Sequence, residues 1–207
     1  KNGKWSLFSP NARQLQGFVY DSVRIISDHF VYVQNQDSVC IITSADSLIL
    51  TPGEALIQLL KDERFEDSPE YLLIRTVDET SIYNISGLKI LEGRYDEVTA
   101  MGLEYLVVEN RGKKGLHDAV GNRLLNTLYE GIGHYQNGFV SILKNKKFGL
   151  YNLHKNIYIQ PQFDALLQPF SDSLIRASEK NRLGLITVSG DFVLPPEFKD
   201  IRPWNDT

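Results

Sequence analysis

His117-Asp118 is the only His-Asp dipeptide in the chain, and a carboxylate beside an imidazole is what an oriented general base requires. The equivalent slots elsewhere in the chain hold Phe8-Ser9, Ile42-Thr43, Tyr83-Asn84, Tyr151-Asn152 and Ile186-Thr187. His117 therefore takes a strand position that is usually apolar, and Asp118 the position of a small turn-former. Cys40 lies in the apolar run Val39-Cys40-Ile41-Ile42 and reads as a small core residue rather than a nucleophile. His29, His134 and His154 have no metal-ligand spacing to one another. The chain has no nucleophile elbow, P-loop or dinucleotide fingerprint. The sequence thus names no catalytic residue, no metal ligand and no cofactor-binding residue, and the expectation is a protein that is not an enzyme.

Three residue sets could bind rather than catalyse. Asp21, Asp96, Glu130 and Asp164 each follow an aromatic residue, while Ala55 and Lys199 break that pattern. Together such acids could ring a cation, or each could cap its own turn through local backbone bonds, which is the reading favoured. Basic residues gather in short polar links: Arg111, Lys113 and Lys114; Lys144, Lys146 and Lys147; Lys180 and Arg182. Stacked units would align them as a stripe, which would attract an acidic partner or simply keep hairpin tips soluble. Tyr135, Phe170 and Trp204 are candidates for stacking on a sugar ring, or for plugging gaps between units.

Composition bounds what positions these residues. The 207 residues are 42% hydrophobic and 23% charged, a globular balance that excludes a disordered tail or a collagen-like rod. The formal net charge of −4 gives no global attraction to nucleic acid or anionic lipid. One cysteine forbids an intrachain disulfide. No apolar stretch approaches the ~18 residues of a membrane-spanning helix, and no membrane insertion is expected. No signal peptide is visible, and an opening Lys1 suggests a processed form or a fragment.

The segments Lys113-Lys114-Gly115-Leu116, Lys147-Phe148-Gly149-Leu150 and Arg182-Leu183-Gly184-Leu185 repeat one another. Anchored on the glycine, the series runs Ser6, Cys40, Ser81, Gly115, Gly149 and Gly184, at separations of 34, 41, 34, 34 and 35. The next residue is apolar and branched in every copy: Leu7, Ile41, Ile82, Leu116, Leu150 and Leu185. Nine after the anchor come Leu15, Ile49, Ile90, Leu124, Tyr158 and Val193, all apolar or aromatic. Fourteen after it come Tyr20, Glu54, Tyr95, Tyr129, Phe163 and Phe198, aromatic in five of six copies where aromatics are 11% of the chain.

Each unit reads as three short strands. Strand a surrounds the anchor, a turn follows at Ala12, Asp46, Gly87, Gly121, Lys155 or Gly190, and strand b runs to the aromatic. Strand c lies further on: Phe30 to Val33, Tyr71 to Ile74, Tyr105 to Val108, Phe139 to Leu143 and Leu174 to Ala177. Tight polar links rich in Asn join c to the next a as a hairpin. The seven extra residues of the second unit follow Thr51-Pro52-Gly53-Glu54, which reads as an N-cap, a proline at the first helical position and a glutamate closing a capping box. Leu56, Leu59 and Leu60 then fall at helical spacing, and a short helix is predicted near 52–63.

These residues resemble the WG (KWG) repeat family of bacterial proteins. Lys4-Trp5 with Leu7 fits the opening of its pattern, with Ser6 in place of glycine. Phe148-Gly149-Leu150 and Leu183-Gly184-Leu185 keep the glycine and lose the tryptophan. Pro161-Gln162-Phe163-Asp164 and Pro195-Pro196-Glu197-Phe198 fit the middle, and Pro169-Phe170 and Pro203-Trp204 the end. The resemblance covers nearly the whole chain and is strongest in the last three units. It implies a bacterial β-repeat array, usually a non-catalytic interaction module, and supplies no catalytic residues.

The expectation is therefore an all-β single domain over 1–207, with units 1–35, 36–76, 77–110, 111–144, 145–178 and a partial 179–207. Its tandem ~34-residue three-stranded antiparallel repeats would stack as a curved, propeller-like or solenoid array, with one short inserted helix. The expected partner is a protein, for interaction or scaffolding. A glycan or other ligand at the cell envelope is the alternative, nucleic acid is disfavoured, and an extracytoplasmic location is favoured over the cytoplasm.

Overall fold

The computed structural model describes residues 3–8, 20–36, 38–45, 47–51, 54–133, 138–155, 157–171 and 173–202. Among them the chain is all β. Its strands form five four-stranded antiparallel sheets, each a meander in chain order. The first contains β1 (Ser22–Ile25), β2 (Phe30–Asn35), β3 (Ser38–Thr43) and β4 (Leu48–Thr51). The second contains β5 (Leu56–Leu60), β6 (Tyr71–Arg75), β7 (Thr80–Tyr83) and β8 (Lys89–Gly93). The third contains β9 (Glu97–Met101), β10 (Tyr105–Asn110), β11 (Lys113–Asp118) and β12 (Arg123–Tyr129). The fourth contains β13 (Gly131–Ile132), β14 (Phe139–Lys144), β15 (Lys147–Asn152) and β16 (Ile157–Phe163). The fifth contains β17 (Ala165–Pro169), β18 (Leu174–Glu179), β19 (Arg182–Thr187) and β20 (Phe192–Phe198). Trp5 and Tyr20 form a further antiparallel bridge. The chain clusters into two compact units, Lys1–Leu106 with Asp118–Asn122, and Val107–His117 with Arg123–Thr207.

The expected c–a–b hairpin group is present in every sheet, but each sheet has four strands rather than three. The additional strand (β1, β5, β9, β13 or β17) pairs with the far side of strand c. Sequence hides it because it is short and variable: two residues in β13, and one ending on Pro169 in β17. Such a segment reads as a connection when no constant spacing marks it.

The predicted helix is a strand. Residues 56–60 are β5, paired in register from Leu56↔Arg75 to Leu60↔Tyr71. Ile57 and Leu59 pack on the buried cluster of Phe30, Ile41, Ile49, Leu72 and Ile74, while Leu56 and Gln58 are exposed. A helix as short as the one predicted over 52–63 is marginal without tertiary packing, and the ladder to β6 pairs this backbone instead. Thr51 closes β4, its hydroxyl donating to the Val39 carbonyl at 2.9 Å instead of capping a helix. Pro52 and Gly53 lie outside the described residues.

One pairing rule recurs. The residue after each anchor is buried: Ile41, Ile82, Leu116, Leu150 and Leu185 are all 9% exposed or less. It faces Ile49, Leu91, Leu125, Ile159 and Leu194 across the b strand. The inward residue is thus ten after the anchor, except for Ile49, and not nine. Tyr158 and Val193, nine after, are 42% and 58% exposed; Leu15 lies outside the described residues. In the last three sheets strand b bulges opposite the anchor: two residues separate Phe148 from Leu150, but four separate Ile159 from Phe163. The bulge drives backbone onto the anchor. A Cβ on Gly149 would stand 2.4 Å from the Ile159 carbonyl oxygen, and one on Gly184 2.6 Å from that of Leu194. Cys40 and Ser81 sit where the ladder is regular, with Cys40↔Leu50 and Ser81↔Glu92 paired, so a side chain fits there.

In the second unit the fourth and fifth sheets share a core of Phe139, Leu150, Ile159, Phe163, Ile175, Ala177 and Ile186. Burying each large apolar side chain contributes about 1.5–3 kcal/mol.

Candidate functional site

In the third, fourth and fifth sheets the hairpin joining strands c and a is a two-residue turn with both central residues left-handed: Arg111-Gly112 (φ 52°, 70°), Asn145-Lys146 (53°, 61°) and Lys180-Asn181 (51°, 61°); in the second sheet it is the longer link 76–79. Asn and Gly tolerate that conformation, and its twist matches the flanking strands. Gln36 (φ 53°) opens the equivalent turn of the first sheet, and Asp37 lies outside the described residues.

These turns are where the acids go. Glu130 accepts from the amides of Asn145 and Lys146 at 3.2 and 3.3 Å and from Lys113 Nζ at 3.2 Å. Asp164 accepts from the Lys180 amide at 2.5 Å and from Lys147 Nζ at 2.6 Å. Asp21 accepts from the Gln36 amide at 2.8 Å and pairs with Lys4. Each carboxylate holds a lysine two residues before an anchor and the hairpin tip of the following sheet. At Asp21, Glu130 and Asp164 the local caps expected are therefore longer-range joints to a hairpin tip and a lysine. Their chemistry lowers each carboxyl below its ordinary range. The Lys4 bond comes first for Asp21, the Lys146 amide for Glu130 and the Lys147 bond for Asp164.

Within the second unit Glu130 and Asp164 set the tips at 110–113, 144–147 and 179–182 side by side. Lys113, Lys114 and Lys147 are neutralised by Glu130, Glu109 and Asp164. Lys146, Lys180 and Arg182 are exposed and have no carboxylate partner among the described residues. This unit carries 13 Lys and Arg against 9 Asp and Glu, a formal +4, where the first unit carries 9 against 17, or −8. That asymmetry is invisible in the chain's net charge.

The turn from a to b explains Asp118. Its Oδ1 accepts from the Val120 and Asn122 amides at 3.1 and 2.8 Å. Asn84, Asn152 and Thr187 hold the equivalent turns in the same way, and Thr43 accepts from the Ser47 amide. Gly87, Gly121 and Gly190 take φ of 81°, 92° and 97° there; Ala12 and Asp46 lie outside the described residues. His117 is buried in β11, one residue from that turn. Cys40 is half-buried, and burial raises its thiol pKa, away from a reactive thiolate. His29 meets the Ser44 hydroxyl at 3.2 Å, His154 is exposed, and His134 lies outside the described residues. Among the described residues no three His, Cys, Asp or Glu converge as metal ligands, and no helix is long and apolar enough to cross a membrane.

Of the candidate sugar platforms, Phe170 is half-buried beneath the Arg176 guanidinium, 5.9 Å from its ring centre. Tyr135 and Trp204 lie outside the described residues.

Sequence reasoning missed one site. An open cavity of about 510 Å³ in the first unit is lined by residues 58–64, Leu73, Arg75 and 97–100. The residues inserted in the second repeat form one wall, pinned by the buried Asp62. Its carboxylate accepts from Arg64 Nε and Nη2 at 2.8 and 2.7 Å and from the Gly102 amide at 2.7 Å. Ser68 completes the clasp, accepting from the Asp62 amide and donating to the Gly102 carbonyl. The Arg64 bond, chiefly, brings the Asp62 pKa down to about 2. The signal was the insertion itself, since a segment added to one copy serves something other than the repeat.

Residues 148–182 and 184–206 match the family model of the WG containing repeat. No curated protein matches the chain. Solved structures similar to it include Kluyveromyces lactis Hsv2, at 10% identity and TM-score 0.34, covering 83% of this chain and 63% of that one. The WD40 domain of Neurospora crassa Pan2 is 13% identical at TM-score 0.31, covering 87% and 66%. An uncharacterised protein from Listeria monocytogenes is 8% identical at TM-score 0.38, covering 67% and 53%. The chain spans about three fifths of the length of the Hsv2 chain it resembles.

Proposed function

We propose that this chain, which carries the WG containing repeat over residues 148–206, is a non-catalytic interaction module that binds an acidic segment of a protein partner. The observation that carries the reading is the row of hairpin tips in the second unit, with Lys146, Lys180 and Arg182 exposed along it. An extended acidic segment meets three neighbouring cationic turns there, on a unit of net positive charge within a chain of net negative charge. The potential reactive residues support a non-catalytic role, because Asp118, Glu130 and Asp164 already spend their carboxylates on turns and joints.

The test uses a fluorescent oligo-glutamate peptide and the whole chain. Binding is expected at about 0.05 M salt and lost at about 0.5 M, because the Debye length shortens several-fold. The triple variant K146E, K180E and R182E should remove it without changing the circular dichroism spectrum. Salt-independent binding, or full binding by the triple variant, overturns the reading, as does tighter binding of duplex DNA than of the peptide.

A further inference from the structure

The cavity walled by the insertion has an unusual lining. From β5 onward it touches every residue of 58–64, and from β9 every residue of 97–100, but from β6 only Leu73 and Arg75. Successive side chains of a strand point to opposite faces. A cavity that meets them all in sequence therefore runs along the strand's edge, where backbone N–H and C=O groups project, and one that meets alternate residues lies over a face. Among the described residues β5 and β9 are the end strands of their sheets, each paired on one side only. Two unpaired edges thus border one cleft, with a face of β6 closing its back.

We propose that this cleft binds an extended peptide of a partner protein by strand addition, against the outer edges of β5 and β9. Main-chain bonds to an open edge supply sequence-independent affinity, and the side chains on the peptide's inner face supply selection. Leu60, Leu73 and Val98 are buried at this cleft and form its apolar floor. Arg75, two residues from Leu73 on the same face of β6, donates from Nε to the Thr80 hydroxyl at 3.1 Å and has no carboxylate partner among the described residues. Lys61, Glu63 and Glu97 also line the cleft, so its charge is mixed, and it is the Leu73–Arg75 pair on one face of β6 that selects a peptide with an apolar residue and an acidic residue two positions apart. The Asp62 clasp holds the inserted wall in place before the peptide arrives, which lowers the ordering cost of binding. This inference is independent of the hairpin row, which lies on the other unit.

The probe is the peptide acetyl-Thr-Val-Thr-Leu-Thr-Glu-Thr-Val-amide, titrated into the isotope-labelled chain. Its binding should shift the amide resonances of residues 58–60 and 97–99 and slow their hydrogen exchange. The same peptide N-methylated at its threonines should bind about tenfold more weakly or worse, since it cannot complete the ladder. The Glu→Lys peptide should lose binding to the native chain and regain it with Arg75→Glu; if that variant does not fold, Arg75→Gln should weaken the Glu peptide until the two peptides bind alike. Unshifted amides at saturating peptide overturn the proposal. So does equal binding of the N-methylated peptide, which would mean a cleft that takes side chains and not a strand.

Discussion

The Lys180 amide donates to Asp164 at 2.5 Å, although the acid leaves one sheet and the amide sits at the hairpin tip of the next. Lys147 Nζ closes the same carboxylate from the preceding sheet at 2.6 Å. Glu130 and Asp21 repeat the arrangement with Lys113 and Lys4. Lysine before the anchor and acid after the aromatic are thus two halves of one joint. Replacing Asp164 by Asn keeps one acceptor oxygen and loses the ion pair. The variant should melt a few degrees lower, and the amide of Lys180 should exchange faster. Lys147→Met should melt less far below the native chain than Asp164→Ala, because it leaves the hairpin bond intact.

Acid should undo the joints in a defined direction. Asp21, Glu130 and Asp164 all have lowered pKa values relative to the ordinary 3.8 and 4.5, and Asp62 falls to about 2. A carboxyl with a depressed folded pKa contributes stability that is full above its unfolded pKa and disappears as pH falls through the folded one. The melting temperature should therefore hold level from neutrality to about pH 5 and fall below it. Asp164→Asn should show a shallower fall. Equal acid slopes in the two proteins would remove Asp164 from the account.

Gly149 sits under the bulge of β16 with the Ile159 carbonyl oxygen 2.4 Å from where a Cβ would be. The Pro161 nitrogen and the Gln160 carbonyl carbon also lie 2.7 and 2.9 Å from that point, and such backbone leaves little room to relax, so Gly149→Ala should cost about 1–3 kcal/mol. Gly112 is the useful contrast, since nothing lies within 4 Å of its added Cβ and only its φ of 70° resists. Gly112→Ala should cost about 1–2 kcal/mol, the ordinary penalty for a left-handed residue. Chemical denaturation of the two variants measures both.

The repeat was legible because its constraints are local. Leu116, Leu150 and Leu185 share one buried position, and Gly87, Gly121 and Gly190 one left-handed turn. The fourth strand was not legible, because Gly131–Ile132 and Ala165–Pro169 are defined by the partner they pair with and not by any spacing of their own. Leu56, Leu59 and Leu60 fit a helical spacing, but over so short a run that spacing carries little weight, and the ladder to β6 decides the strand. Glu130 and Asp164 were found as a pattern, but their partners lie in another sheet, beyond the reach of local capping chemistry.

The bulge also changes which residues carry the core. Ile159, ten after its anchor, is 3% exposed and packs on Phe163, Ile175 and Ile186. Val193, nine after its own, is 58% exposed. Ile159→Ala removes buried methylenes and leaves a cavity between two sheets, at a cost of about 2–4 kcal/mol. Val193→Ala removes surface already in water and should stay within about 0.5 kcal/mol of the native chain. Urea denaturation distinguishes the two registers directly. A larger loss at Val193 than at Ile159 would put the inward position nine residues after the anchor and remove the bulge as the reason for glycine.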